Sequence, residues 1–178
     1  DICTRENADV VFAPDADANH QRTFDAHYVM VNGGYFEAGT ADFPYTSKLT
    51  ITMHSDVASP YLPIYGNKVI GVRFGQIHMV GVERPITWTS LSATADVGAT
   101  SITLMESVDW QVGEEIVIAP TGYEARNAEK RTIASISGNT LSFDEPLLYK
   151  HFSDVETYGS HTIEMRAEVG LLTRNVKY

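Results

Sequence analysis

The sequence contains very little cysteine. Cys3 is the only cysteine among 178 residues, so no disulfide bond can form within the chain. In an extracellular protein an odd cysteine suggests a partner outside the segment, whereas in the cytosol a lone thiol needs no explanation. The pairing of Cys3 and the redox compartment therefore stay open.

Positive charge is also scarce. Lysine and arginine together number 13 against 23 aspartate and glutamate residues, which gives a formal net charge of −10. Binding of nucleic acid depends on clustered lysine and arginine, and no basic stripe is present. Nucleic acid is therefore not expected as a partner, and the dispersed acidic residues predict a solvated acidic surface.

Long apolar runs and catalytic motifs are missing. No run reaches the roughly 18 residues that a membrane helix needs, so we expect no membrane insertion by this segment. The sequence has no Gly-x-Ser-x-Gly elbow, no phosphate-binding loop and no His-x-x-x-His pair. We therefore expect no catalytic residue, no metal ligand and no cofactor, and bound calcium has no support from any motif.

Alternation with period two is abundant. It appears in KLTITMH, TSITLM, TLSF and HTIEMR, and glycine-containing turns separate these segments. The pattern predicts an all-β fold of short strands, arranged as a coil or a barrel-like hairpin module, with one hydrophobic core. One tight hairpin is predicted at residues 137–140, and at most one short helix at residues 123–132.

The segment SVDWQVGEEIVIAP, residues 107–120, raises the question of an active site. Ile116 and Ile118 alternate with Val117, which predicts a strand buried on at least one face. Glu114 and Glu115 are adjacent on that strand and point to opposite faces, so they make a poor glycosidase pair, whose two carboxylates must converge. The segment is therefore interpreted as a strand with its turn.

Several blocks, taken in order, resemble a known family. YFEAGTADFPY, LTITMH, YGNKVIGVRFGQIHMVG, TWTSL, VDWQVGEEIVIA and AEVGLLTRNV are similar to the eight-glycine domain of fibrocystin-like proteins and of related cell-surface and secreted hyaluronidases. The resemblance covers roughly residues 20–178 and implies a β domain that leads into a right-handed parallel β-helix. Ser55 departs from the pattern, because a glycine is expected after ITMH.

The resemblance also implies a division of the chain. Residues 1–25 are an unassigned leading segment or a diverged first strand, residues 26–170 the eight-glycine β domain, and residues 171–178 the start of the β-helix. Arg174 and Asn175 are expected to bond backbone turns at that passage. The glycines in or beside the matching blocks are expected to set backbone geometry: Gly34, Gly39, Gly71, Gly75, Gly81, Gly98, Gly113 and Gly170.

The function implied by the resemblance is that of a non-catalytic extracellular domain at a cell or ciliary surface, serving adhesion, coat structure or ligand recognition. Its partners would be the rest of a large ectodomain and a glycan or protein ligand. The alternative is part of an ectodomain that binds or depolymerises hyaluronan. In that alternative, carboxylates such as Asp109 and Glu124 would converge with residues of the β-helix.

Exposed aromatic side chains could stack on sugar rings in such a domain. The candidates are Trp88, Trp110, Tyr123 and Tyr149. Each tryptophan borders an apolar strand, so the opposing interpretation is that both cap the core.

Overall fold

The chain is all β, as predicted. The computed structural model describes the backbone of residues 2–4 and the whole of residues 8–178. Within these residues lie eighteen strands and one three-residue 3-10 helix, Ala125–Asn127. The helix lies inside the range 123–132 in which the sequence allowed one. The side chain of Cys3 lies outside the described part.

The chain divides into two compact units, each with its own hydrophobic core. The first, here called the coil unit, consists of Asp1–Glu83 and Arg174–Tyr178, and the second, the hairpin unit, is Arg84–Thr173. Phe36 and Tyr45 are buried in the core of the coil unit, and Trp110 and Ile116 in that of the hairpin unit. The prediction of one core was therefore wrong.

The coil unit winds in successive turns around its core, with parallel strands stacked on three faces. The three sheets have the orders β1-β4-β7, β2-β5-β8 and β3-β6-β18, which is the arrangement of a parallel β-helix. The strands are β1 Ile2–Thr4, β2 Val10–Val11, β3 Gln21–Ala26, β4 Val29–Asn32, β5 Tyr35–Ala38, β6 Lys48–Met53, β7 Ile70–Arg73, β8 Gln76–Met79 and β18 Val176–Lys177.

Parallel stacking in the coil unit places like residues above one another. Val10, Phe36 and Ile77 occupy one register across the second sheet. Phe12, Phe24 and Phe36 form a cluster of edge-to-face rings with centroid separations of 5.4 to 5.7 Å, a favourable aromatic geometry. The leading segment, whose assignment the sequence left open, thus supplies three strands, β1 to β3, to the stack.

Two turns of the coil depend on glycine. Gly39 has a φ of +78°, and a Cβ there would lie 2.3 Å from the amide nitrogen of Tyr45 and 2.4 Å from the carbonyl oxygen of Val80. Gly34 has a φ of +69°, and a Cβ there would lie 2.2 Å from the carbonyl oxygen of Ala8. Backbone crosses backbone at both places, so a side chain has no room.

Asn175 fixes the last strand of the coil unit. Its Nδ2 donates to the carbonyl oxygens of Tyr45 at 2.6 Å and Ser47 at 2.9 Å. Its Oδ1 accepts from the amide of Val82 at 3.0 Å. The expectation that Asn175 bonds backbone turns is confirmed.

The hairpin unit is antiparallel. It contains a four-stranded sheet of order β12-β11-β17-β9, a three-stranded sheet β10-β14-β13 and a two-stranded ribbon β15-β16. Ser137 pairs with Thr140 in β13 and β14, which confirms the predicted tight hairpin. The strands are β9 Trp88–Ser90, β10 Ser101–Thr103, β11 Glu115–Ile118, β12 Glu129–Thr132, β13 Ser135–Ser137, β14 Thr140–Ser142, β15 Ser153–Tyr158, β16 His161–Arg166 and β17 Glu168–Leu171.

The segment 107–120 is a strand and its turn. Ile116 and Ile118 are fully buried in β11, and the indole Nε1 of Trp110 donates to the carbonyl oxygen of Ile86 at 2.7 Å. Arg84 binds Asp109 Oδ2 at 2.9 Å and Glu114 Oε1 at 2.8 Å. These contacts hold the turn in place and explain its residue pattern structurally.

Candidate functional site: a groove beside Trp88

Trp88 lies at the start of β9, on an outer strand of the four-stranded sheet. Its neighbour Thr89 is buried opposite Val169, whereas the side chain of Trp88 is 61% exposed. The residue paired with Trp88 in β17 is Gly170. Cross-strand neighbours normally contact each other, so Gly170 leaves space beside the indole where another residue would place a side chain.

The space that a side chain at position 170 would occupy is available. A Cβ on Gly170 would meet Val117 Cγ1 at 3.5 Å, an ordinary van der Waals distance, and its φ is not positive. The backbone therefore does not require glycine here, in contrast to Gly39. Because Gly170 has no side chain, it leaves the indole of Trp88 uncovered at this position.

A groove of about 480 Å³ runs beside Trp88. Met105, which is 49% exposed, adds a second apolar surface. The groove combines apolar contacts with polar groups, as small-molecule sites do. It is lined by Trp88, Thr89, Ser90, Met105, Glu106, Glu164 and Arg166.

The polar groups of the groove are held by hydrogen bonds. Thr89 Oγ1 donates to Glu106 Oε1 at 3.0 Å, and Arg166 Nε donates to Glu164 Oε1 at 2.5 Å. The same guanidinium donates through Nη1 to the carbonyl oxygens of Leu91 at 3.1 Å and of Ser92 at 2.9 Å. Arg166 is thus fixed in position, and it in turn orients the carboxylate of Glu164.

The four aromatic candidates are not gathered at one site. Trp110 is buried, with 4% of its surface exposed, so it has no ring face for a ligand; the core interpretation is correct for Trp110 and wrong for Trp88. Tyr123 and Tyr149 are exposed but do not line the groove. Of the four, Trp88 alone lines this groove.

The two carboxylates considered for hydrolysis are engaged separately. Asp109 is bound by Arg84, and Glu124 Oε1 accepts from the backbone amide of Arg126 at 3.1 Å, where it caps the 3-10 helix. Sequence reasoning missed Glu106 and Glu164, which do share a groove. The alternation in HTIEMR signals a strand carrying Glu164 but not which element it faces.

Three titratable side chains are buried elsewhere in the hairpin unit. His151 Nε2 lies 3.1 Å from Glu129 Oε1, and Arg131 Nη2 donates to Glu129 Oε2 at 2.5 Å. Burial alone would raise the pKa of Glu129, but hydrogen bonds from the amides of Leu148 and Tyr149 and from both side chains hold it below its ordinary value. With 3% of the Glu129 side chain exposed, the cluster is structural.

The coil unit has an apolar cleft of about 730 Å³. β6 pairs with β3 along its whole length, whereas β18 pairs with it only at Leu49 and Thr50. Beyond those two positions, the described part of the chain places no parallel strand on this side of β6. The cleft is lined by Ile51, Thr52, Met53, Lys68, Ile70, Ile77, Met79 and Tyr178.

Among the residues described, no three His, Cys, Asp or Glu side chains are grouped so that they could hold a metal ion. In that part of the chain, no helix is long and apolar enough to cross a membrane.

A family model for the G8 domain matches residues 3–92. The chain belongs to the G8 domain family. The resemblance found in the sequence blocks is thereby confirmed. The match covers much of the coil unit and includes Trp88 in β9, whereas the other side of the groove lies outside it.

Relatives of this G8 domain occur in very long proteins. It is 42% identical to fibrocystin-L of Mus musculus over 153 residues, which cover 83% of the chain and 4% of that protein. The values for fibrocystin-L of Homo sapiens are the same. A G8 domain-containing protein of Dictyostelium discoideum is 36% identical over 154 residues, or 82% of the chain and 10% of that protein.

Among solved structures, this G8 domain is similar to two phage tailspikes. One is from Acinetobacter baumannii bacteriophage AP22 in complex with a capsular saccharide, with 16% identity, a TM-score of 0.39, and coverage of 88% of this chain and 23% of the tailspike. The other is from Pseudomonas phage phi297, with 12% identity, a TM-score of 0.37, and coverage of 89% and 21%.

Proposed function

We propose that the chain is a non-catalytic extracellular domain of a large fibrocystin-like protein at a cell or ciliary surface. Its role is to recognise a ligand, and the ligand class that its chemistry favours is a saccharide bound in the groove beside Trp88. The similarity to fibrocystin-L supports the proposal that the parent protein is fibrocystin-like. The groove beside Trp88 supports the proposal that the ligand is a saccharide.

The observation that carries the saccharide proposal is the exposed indole of Trp88 beside fixed polar groups. Pyranose rings have an apolar face that stacks on an aromatic ring and hydroxyls that need hydrogen-bond partners. The groove offers the indole for the first, and the carboxylates of Glu106 and Glu164, the latter held by Arg166, for the second. An isolated exposed tryptophan would supply only the stacking surface.

We further propose the division of the chain into residues 1–25, the G8 domain at residues 26–170, and residues 171–178 as the start of a following β-helix. The apolar cleft of the coil unit supports the last of these boundaries, because its partly exposed Ile70 and Ile77 are open to a cover and β6 has room for a longer parallel partner beyond Thr50. In the intact protein, a further turn of coil would supply both.

The hyaluronan-depolymerising alternative has less support. Asp109 is bound by Arg84 and Glu124 caps the 3-10 helix, so neither carboxylate is directed at a shared substrate. A protein ligand at the same groove is the remaining class, and the binding experiment separates it from a saccharide.

The test is calorimetric titration of the purified chain with neutral and acidic oligosaccharides, followed by sizing of the products after long incubation. Trp88→Ala should weaken saccharide binding by about tenfold or more, because the stacking surface is lost. Tyr123→Ala is the matched control, since Tyr123 is exposed but lies outside the groove. Product sizes should not change.

Two results would contradict the proposal. Shortened oligosaccharides would show an enzyme, and loss of binding in Tyr123→Ala but not in Trp88→Ala would place the site elsewhere. Absence of binding to every saccharide would exclude the ligand class and leave a protein partner as the object of search.

A further inference from the structure

The groove beside Trp88 is negatively charged. Glu106 and Glu164 line it, and Glu168 is exposed on the adjoining strand, where it pairs with Ser90. Among the lining residues of the described chain, Arg166 is the one cation. Carboxylates therefore outnumber cationic groups around the indole.

Arg166 is poorly placed to attract an acidic ligand. Its side chain is 15% exposed, whereas that of Glu164 is 59% exposed. The guanidinium already donates to Glu164, to the carbonyl oxygens of Leu91 and Ser92, and to Ser153 Oγ at 3.3 Å. The charge that a ligand meets at the surface is therefore that of the carboxylates.

Carboxylates in this position can accept hydrogen bonds from the hydroxyl groups of a sugar. The hydrogen bonds described above engage Oε1 of Glu106 and Oε1 of Glu164, and an ionised carboxylate has about four acceptor sites. A neutral sugar donates its hydroxyl protons to such acceptors while its ring lies on Trp88. Such charge-assisted hydrogen bonds are stronger than neutral ones.

An acidic sugar meets repulsion in the same place. Two like charges about 4 Å apart in a water-like dielectric weaken binding by about fivefold for each pair. A carboxylate or sulfate held near Trp88 would face the two carboxylates that line the groove. The expected discrimination against an acidic group is therefore about tenfold or more at low salt.

We propose that the groove beside Trp88 selects saccharides without acidic groups, and that Glu106 and Glu164 determine this specificity. The inference rests on the proposed saccharide function and adds the class of saccharide to it. Hyaluronan and other polyanionic glycans are accordingly poor ligands for this groove.

The test uses pairs of saccharides that differ in charge. The first pair is oligogalacturonate and its methyl ester, which share one ring structure; the others are dextran with dextran sulfate, and chitin with hyaluronan oligosaccharides. Wild-type protein should bind the neutral member of a pair at least about tenfold more tightly, and added salt should narrow the difference.

Variants then assign the selectivity to residues. In Glu106→Gln/Glu164→Gln the preference for the neutral saccharide should shrink by about fivefold or more. Each substitution replaces a charged carboxylate with a neutral amide that is still polar. Asp42→Asn/Glu83→Gln is the control, since it removes the same net charge at exposed positions of the coil unit. Its discrimination should equal that of the wild type.

The outcomes separate this inference from the function on which it rests. One contrary result is that wild-type protein binds the acidic and neutral members of a pair equally, with Trp88→Ala abolishing both. That result would overturn the proposed selectivity but support saccharide recognition at the groove. If both double variants reduce the preference for neutral saccharides equally, that preference arises from net charge. This result would overturn the roles of Glu106 and Glu164. Binding of no member of any pair would overturn both proposals.

Discussion

Asn175 donates a hydrogen bond to the carbonyl oxygen of Tyr45 at 2.6 Å, although 130 residues of chain separate them. The same side chain reaches Ser47 and Val82. One amide thus joins the end of the described chain to two earlier turns of the coil unit.

Replacement of Asn175 should destabilise the coil unit. Asn175→Ala leaves the carbonyl oxygens of Tyr45 and Ser47 and the amide of Val82 without this partner, and we expect a loss of about 2–4 kcal/mol in the free energy of unfolding. Urea denaturation followed by circular dichroism measures it. Lys177→Ala, at an exposed position two residues away, should change stability by less than about 0.5 kcal/mol; equal effects would contradict the role of Asn175.

Two glycines should respond differently to alanine. Gly39→Ala combines a φ of +78° with a Cβ 2.3 Å from the Tyr45 nitrogen, so we expect a loss of more than about 2 kcal/mol or failure to fold. Gly170→Ala meets its nearest neighbour at 3.5 Å and should change stability by less than about 1 kcal/mol. Thermal unfolding of the two variants compares them directly, and a larger loss in Gly170→Ala would refute the distinction.

The two tryptophans offer a similar contrast. Trp110→Phe removes the hydrogen bond to the carbonyl oxygen of Ile86 and part of a buried ring, which should lower the free energy of unfolding by about 1–3 kcal/mol. Trp88→Phe, at a side chain that is 61% exposed, should change it by about 0.5 kcal/mol or less. Denaturant midpoints at neutral pH give both values, and the reverse order would contradict the assigned burial.

Stability should decrease at acidic pH through Glu129. Its pKa in the folded chain lies below the ordinary value of 4.5, so the unfolded chain takes up this proton at a higher pH than the folded chain does. The stabilisation is present in full above about pH 4.5 and is lost as the pH decreases through the folded value.

Glu129→Gln tests this linkage. The variant should be less stable than the wild type by about 3 kcal/mol at neutral pH, because Arg131 and His151 lose a buried charged partner. Its stability should also depend less on pH below about 4.5. Denaturant unfolding from about pH 7 to about pH 3 measures both, with the exposed Glu83→Gln expected to follow the wild type.

Local patterns predicted the strands and the tight hairpin correctly. The alternation around Leu49 and Ile51 and around Ile116 and Ile118 reports which side chains face a core, and Gly138 takes the positive φ of +59° that the turn after Ser137 needs. These features depend on neighbouring residues, so a single sequence contains them.

The pairing of the strands could not be predicted in the same way. Val10 lies in register with Phe36, and Leu49 with Val176, and nothing in an alternating segment states which distant strand it joins. The second hydrophobic core was not predicted for the same reason, because the number of cores depends on which strands pair.

The groove was only half predicted for a related reason. Trp88 and Trp110 both border apolar strands, yet one is exposed and the other buried, because burial depends on which face of each element another element covers. Glu106 and Glu164 lie far apart in the sequence, and their approach to Trp88 depends on tertiary structure alone.

The position of β18 has a consequence for the order in which the protein forms during synthesis. The strand pairs with β6 but leaves the ribosome only after the whole of Arg84–Thr173, a unit with its own core. Because domains fold as units while synthesis proceeds, the hairpin unit can be complete while the third sheet of the coil unit still lacks β18. A nascent chain that has emerged from the ribosome only as far as Thr173 would therefore hold one finished unit and one unfinished unit, and the unfinished unit is open to chaperones and proteases.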